Sequence, residues 1–414
     1  MVYVPKRIFT DQNKDNRIYS EMWTGLWWNT IQVCSWCSTY YTNHLPVGAT
    51  LAPIIIATDK TQLTQFTGGK AAYPVYMTLG NIPKSIHCKP TQHACVLIGY
   101  LSVDKIEHQQ LTKQEQRARN QRLFHESIAG KTGLDMTGGD GAVQRVFPIL
   151  AAYVADFPEQ CLVTCSKYGT CPKCHCPADK LQDSDEYPAR TQKWTLDIIK
   201  QAKHFVCLER FPGAFTHTDI HLAITPDVLH QLYQGVFKHL VNWCSRIMSP
   251  EEFDLRVHSL PPGYGLRHFK NGVSVLSQIS GSERKDMAKI LLGCLIGVFP
   301  KQAIMACRAL LDFVYLAQYS THDDKTLQYM QDALDAFHKN KSYFVATGTR
   351  DDLNIPKFHS LMHYIKSIKY LGTIDNYNTE MFERLHIDFA KKGWRASNQR
   401  DDRFYSFYIY AITI

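Results

Sequence analysis

No stretch of this 414-residue sequence approaches the roughly eighteen uninterrupted apolar residues that crossing a membrane requires. Its opening, MVYVPKRIFTDQNKDNR, lacks the apolar core of a secretory signal. The expectation is therefore an intracellular globular chain with no membrane partner. There is also no internal repeat and no low-complexity tract, which removes repeat architectures and long disordered linkers from consideration. What the chain does have is 45% hydrophobic residues and 20% charged ones, enough to bury one large core or two intimate ones. Its thirteen cysteines, lacking a secretory context, are expected as reduced thiols and metal ligands rather than as a disulfide framework. A net charge of +8 favours a polyanionic partner, a cue that many unrelated basic proteins share.

Two textures follow one another along the chain. Between Leu51 and Val103 lie three strand-like runs, LAPIIIATD, YPVYMTLGN and ACVLIGYLSV, separated by turn-forming and polar segments. The segment 111–129 is rich in helix formers, and RVFPILAAYVAD at 145–156 is a fourth apolar run. After about Pro212 the pattern becomes helical, over 225–248, 282–298, 301–319, 324–344, 356–371 and 376–391. Modest linkers are expected at 178–192 and in PPGYG at 261–265.

The first and fourth apolar runs both stop on an aspartate, Asp59 and Asp156. Three strands, a helix, a fourth strand and then helices is the element order of a ribonuclease H-like α/β fold, a mixed sheet here interrupted by a largely helical insertion. In that fold one acid sits on the first strand, a second follows the fourth, and a third comes from a late helix. Such placement suits two divalent ions about 3.5–4 Å apart, bridged and flanked by carboxylate oxygens. The plainer reading is that each aspartate ends a strand or caps a helix.

A second constellation is Cys171-Pro-Lys-Cys174-His175-Cys176, a CxxC knuckle that lets two thiolates reach one tetrahedral zinc. PKFHSLMHYIK carries His359 and His363, four apart and so on one face of a helix. Together they make a closed four-ligand structural site, in which Cys176 or His175 could replace one ligand. Cys34-Ser-Trp-Cys37 has no second ligand pair nearby and reads as incidental.

The strings ATDKTQLTQFTGGKAAYPVYMTLGNIPKSI, AAYVADFPEQCLVTCSKYGTCPKCHCP, ITPDVLHQLYQGVFKHLVNW and NTEMFERLHIDFAKKGWRASNQR resemble the Plavaka transposases of basidiomycete fungi, relatives of the CACTA group, over roughly 45–400. The resemblance implies a DDE-type DNA transposase that cleaves element ends and transfers their 3′ hydroxyls to target DNA with Mg²⁺ or Mn²⁺, working in the nucleus, with a homo-oligomer left open. It implies Asp59 and Asp156 as the first two acids, Cys171, Cys174, His359 and His363 as zinc (Zn²⁺) ligands, and Glu383 as the third acid, with Glu380 one turn earlier as its competitor. Asp227 and His230, in TPDVLHQLY, match another conspicuous family string; a helix contacting the active site or the DNA competes with a capping Asp and an ordinary His. Asp140, in a GGDG turn, is a weaker second-acid candidate. Lys391, Lys392, Trp394 and Arg395 are expected to meet DNA, the lysines at phosphates and the indole at an unpaired base.

The expected organisation is an N-terminal segment at 1–45, the first part of the catalytic core at 46–165, a zinc knuckle with helical insertion at 166–355, the histidine-pair and third-acid helices at 356–400, and a tail at 401–414. IQVCSWCSTYYTNH at 31–44 reads as an insertion ahead of the resemblance. Relatives are longer at both ends, so a truncated copy, and with it a catalytically inactive DNA-binding or scaffold protein, stands as the alternative expectation.

Overall fold

The computed structural model describes residues 5–34, 50–64, 70–101, 103, 134–137, 143–201, 218–276 and 279–396. The expected helix at 111–129, Asp140, Cys37 and the tail from 401 lie outside those residues. The central sheet has five strands, β1 (Thr50–Thr58), β2 (Pro74–Leu79), β3 (Val96–Tyr100), β4 (Leu134–Thr137) and β5 (Val143–Val154). They lie in the order β3-β2-β1-β5-β4. β1 and β5 are parallel, and every other pairing is antiparallel. The three sequence-predicted strands thus form the expected meander, and the fourth lies beside the first. β4, a short hairpin partner of β5, was not expected.

β1 is apolar along its length because both its faces are covered. Ile55 and Ala57 enter the main core, while Ile56 points the other way, into a cluster with Leu150, Tyr153 and Ile224. The parallel register sets Ile56 opposite Tyr153 and Ala57 opposite Val154. Both strands therefore run out at the same edge, with Asp59 one residue beyond β1 and Asp156 two beyond β5.

Helices pack on this sheet and on each other in one continuous core that crosses the expected boundaries at 165 and 355. Among the helices of the fold are α1 (Leu26–Cys34), α2 (Phe157–Val163), α3 (Lys238–Ile247), α4 (Gly281–Leu295), α5 (Lys301–Leu316), α6 (Asp324–Asn340), α7 (Tyr364–Leu371) and α8 (Thr379–Leu385). The sequence signals at their starts are those that satisfy orphan N–H groups: a Ser280–Glu283 capping box on α4 and Asp323 on α6. Two π-helical segments depart from the expected regular helices, Val228–Phe237 ahead of α3 and His386–Lys392 after α8. π geometry is rare and concentrates at functional sites. The helix expected over 356–371 is in three pieces: an α turn (Pro356–His359), a 3₁₀ turn (Ser360–His363) and α7.

The described part of the N-terminal segment is built into this core rather than preceding it. Met22, Trp23, Trp27 and Trp28 are buried in it. The Ser20 carbonyl accepts from Thr373 N–H at 2.9 Å and from Asn376 Nδ2 at 2.6 Å. Gly372, at φ 86°, ends α7 there, and a Cβ would meet the carbonyl oxygens of Glu21 at 2.7 Å and Ser20 at 2.8 Å, a left-handed and crowded position that only glycine fits. Among the described residues, no helix is long and apolar enough to cross a membrane.

Candidate active site

The edge where β1 and β5 end is the floor of a cleft lined by Asp59, Asp156, His230, Glu383 and His386. The first two acids arrive by strand register. Glu383 arrives on α8, and His230 on the π-helical segment that packs against it. The backbone thus brings together residues more than 300 apart in sequence. Glu380 is drawn elsewhere: it pairs with Lys285, so of the two candidate third acids only Glu383 faces the cleft.

Asp59, His230 and Glu383 each offer a ligand atom within 4.8 Å of the others. Asp156 lines the same cleft but stands outside that trio. It also does the plainer job expected of it, accepting the Glu159 N–H at 3.0 Å as the N-cap of α2. Burial pushes the Asp156 carboxyl up; the Glu159 N–H opposes the shift and the Asp59 charge adds to it. Glu383 is held below the usual carboxylate range by a hydrogen bond from His230, with the charges of His386 and His230 helping to overcome its burial. His230 goes up to about 11: burial disfavours its charged form, but the charge and hydrogen bond of Asp227 and the contact with Glu383 outweigh it. An array of acids that repel one another, answered by a protonated imidazole, is one that a divalent cation would relieve. The donor set fits such an ion.

Asp227 and His230 take both of the roles weighed for them. Asp227 Oδ1 caps its segment by accepting the Leu229 N–H at 2.9 Å. Its Oδ2 accepts from His230 Nδ1 at 2.8 Å, and His230 Nε2 lies 3.4 Å from Glu383 Oε1. Two contributors escape a reading of the sequence alone. His386 Nε2 lies 3.5 Å from Asp59 Oδ2, and its Nδ1 meets the Tyr76 hydroxyl at 3.2 Å; its signal was the i,i+3 spacing from Glu383, which puts both on one face. Glu159 sits fully buried behind the aspartates, where the Thr58 hydroxyl donates to its Oε1 and Thr58 Oγ1 meets Tyr153 Oη at 2.7 Å. Burial, reinforced by the Asp156 charge, drives Glu159 well above the carboxylate range. It is a neutral acid that supports the floor without adding charge to it.

The second cluster joins Cys171 and Cys174 to His359 and His363, all with ligand atoms within 4.8 Å. Cys171 Sγ lies 3.1 Å from His363 Nε2, and Cys174 Sγ lies 3.1 Å from His359 Nε2. A tetrahedral zinc with bonds of about 2.0–2.3 Å has ligand–ligand edges of roughly 3.3–3.8 Å; the two sulfur–nitrogen separations fall just short of that range, so two thiols and two imidazoles need open by only a few tenths of an ångström to hold that ion. Cys174 is held down to about 2, chiefly by the hydrogen bond from Cys171, whose own thiol burial pushes up. Cys176 and His175 stay outside: Cys176 Sγ turns to the Pro177 carbonyl and the His175 ring packs edge-on against Trp194.

The expected DNA-binding cluster is altered at its aromatic. Trp394 is only 5% exposed, so its indole is packed inside and offers no face to a base. Lys391 is half-buried, Arg395 is exposed, and Lys392 pairs with Asp388 at 2.7 Å. Phosphate contact remains open to the cations alone.

The family model described as Plavaka transposase matches residues 1–244. That match holds Asp59, Asp156, Cys171, Cys174, Asp227 and His230, and it begins at residue 1, so the segment 31–44 falls within the match rather than ahead of it. It ends before the histidine pair and Glu383. No curated protein matches the chain.

Proposed function

Since the chain belongs to the Plavaka transposase family, we propose that it is a DDE-type enzyme of DNA transposition, with Asp59, Asp156 and Glu383 as its acids on a ribonuclease H-like core. The observation that carries the reading is convergence: acids from the ends of two adjacent parallel strands meet a glutamate from a helix more than 220 residues later, at one cleft. The sheet order supports the core assignment, with the meander on one side of β1 and the parallel β5 on the other.

Bound at these carboxylates, Mg²⁺ or Mn²⁺ supplies the Lewis-acid stabilisation that in-line displacement at a phosphodiester needs. The protein's own part is positional. β1 and β5 fix two carboxylates against each other, α8 delivers the third, and neutral Glu159 keeps the floor polar but uncharged. Lys391, Lys392 and Arg395, a few residues beyond Glu383, are suited to neutralising phosphates. Zinc at Cys171, Cys174, His359 and His363 would tie the chain just after the second acid to the segment just before the third, which keeps the acids in register. The DNA partners are element ends and target, and the place of work is the nucleus.

The test is nicking of supercoiled plasmid in Mn²⁺ or Mg²⁺, followed by joining of a labelled 3′-hydroxyl oligonucleotide to it. Both steps are expected from the wild type and lost in Asp59→Ala and Glu383→Gln. Nicking without joining would make the chain a nuclease. DNA binding without nicking would make it the inactive scaffold.

A further inference from the structure

The cleft holds a nitrogen donor that a three-acid scheme leaves idle. We propose that His230 is a direct protein ligand of the divalent cation, beside Asp59 and Glu383, and that Asp227 is the carboxylate that orients it. This rests on the reading of the cleft as a divalent-cation site.

The geometry distinguishes the two ring nitrogens. Nδ1 meets Asp227 Oδ2 at 2.8 Å, so the proton belongs on Nδ1 once an ion is bound. The Nε2 lone pair then faces Asp59 and Glu383, with all three donor atoms inside 4.8 Å. A carboxylate behind an imidazole whose far nitrogen faces other ligands is the arrangement by which proteins fix tautomer and ring orientation at metals.

The mounting behind His230 is far more elaborate than a surface ion pair needs. Asp227 is 1% exposed; its Oδ1 accepts from the Thr379 hydroxyl at 2.6 Å as well as from the Leu229 N–H. Thr379 lies one turn before Glu383 on α8, so the helix that carries the third acid also holds the orienting carboxylate. The carbonyls are held too: Tyr364 Oη donates to Asp227 O at 3.0 Å and Lys357 Nζ to His230 O at 2.9 Å. Lys357 passes over Gly235, where a Cβ would collide with its side chain and lie 2.8 Å from the His230 carbonyl. The glycine makes room for the clamp.

A nitrogen donor changes what the site prefers. Imidazole favours Mn²⁺ and later transition metals over Mg²⁺, which takes oxygen ligands. Truncating His230 should therefore weaken Mn²⁺ binding more than Mg²⁺ binding, and Asp227→Asn should lower Mn²⁺ affinity by about 10–100-fold.

The experiment is electron spin echo modulation of Mn²⁺ bound to the full, zinc-loaded chain. Zinc keeps His359 and His363 engaged elsewhere. Coupling to a directly bound ¹⁴N is expected in the wild type and in His386→Ala, and is expected to vanish in His230→Ala. Asp227→Asn, which keeps the ring, guards against a folding defect: its Mn²⁺ affinity falls with the circular dichroism spectrum unchanged. Mn²⁺ binding that needs Asp59 but lacks nitrogen coupling, or coupling that disappears in His386→Ala instead, would overturn the assignment of His230 and leave the transposase reading intact. Mn²⁺ binding indifferent to both Asp59 and Glu383 would overturn the cation site itself.

Discussion

Thermal stability should track free zinc, and the slope can be worked out. An ion that binds only the folded state adds RT ln(1 + [Zn²⁺]/Kd), about 1.5 kcal/mol for each tenfold rise in free zinc near 60 °C. Unfolding entropy of about 2.1 cal/mol/K per residue gives roughly 0.9 kcal/mol/K for 414 residues. The expected response is therefore about 1.5–2 °C in Tm per decade of free zinc. The measurement is differential scanning fluorimetry in zinc-buffered solutions, with zinc per chain read by elemental analysis. His359→Ala and Cys174→Ala should each bind no zinc and give a flat line. The reasoning fails if the wild type is itself flat, or if His359→Ala keeps the wild-type slope, because the two halves of the cluster, 185 and 192 residues apart in their contacts, would then not share an ion.

Two further predictions concern buried groups. Glu159→Gln should change urea stability by less than about 1 kcal/mol, because the native carboxyl is already neutral, whereas Glu159→Ala should cost about 1–3 kcal/mol by removing the acceptor of the Thr58 hydroxyl proton and leaving the Thr58–Tyr153 pair with one donor unanswered; equal costs for the two would show that the acid's hydrogen bonds contribute nothing. Burial lowers His87 and His322 to about 4, below an ordinary value near 6.5. The unfolded chain then binds protons that the folded chain refuses, so stability should fall as pH drops from about 6.5 to about 4, by up to about 3 kcal/mol for each histidine. His87→Gln should reduce the slope in that window in urea titrations at stepped pH, leaving the His322 share in place, and an unchanged profile would remove His87 from the account.

The sequence disclosed most where one physical requirement dominates. A strand covered on both faces must be apolar throughout, so β1 and the later part of β5 could be read directly along with the aspartates that follow them, while β2 and β3 showed as short apolar runs between turns. CxxC and the His359–His363 spacing are local geometry and could be read too. β4 could not, since LDMT is short and mixed. The π segments could not, because hydrophobic spacing over 228–237 does not separate π from α turns. The 3₁₀ turn at Ser360–His363 likewise breaks a helix that periodicity treats as continuous, although the imidazoles still converge. His386 and the Thr379–Asp227 bond depend on partners 310 and 152 residues away, and Trp394 faces inward for tertiary reasons.

The route by which the cleft closes has a consequence for how the chain comes into being. On a ribosome the first two acids emerge long before the helix that bears Glu383, and the ligand pair at 359 and 363 emerges shortly before it. Closing a loop of about 190 residues costs roughly 4–5 kcal/mol of chain entropy, which a zinc already seated on two cysteines is well placed to offset. A nascent or broken chain lacking its last sixty residues holds Asp59, Asp156 and His230 but neither the histidine pair nor Glu383. Assembly thus works as a conjunction of early and late segments, and half-made molecules would lack the acid cluster that the proposed chemistry needs.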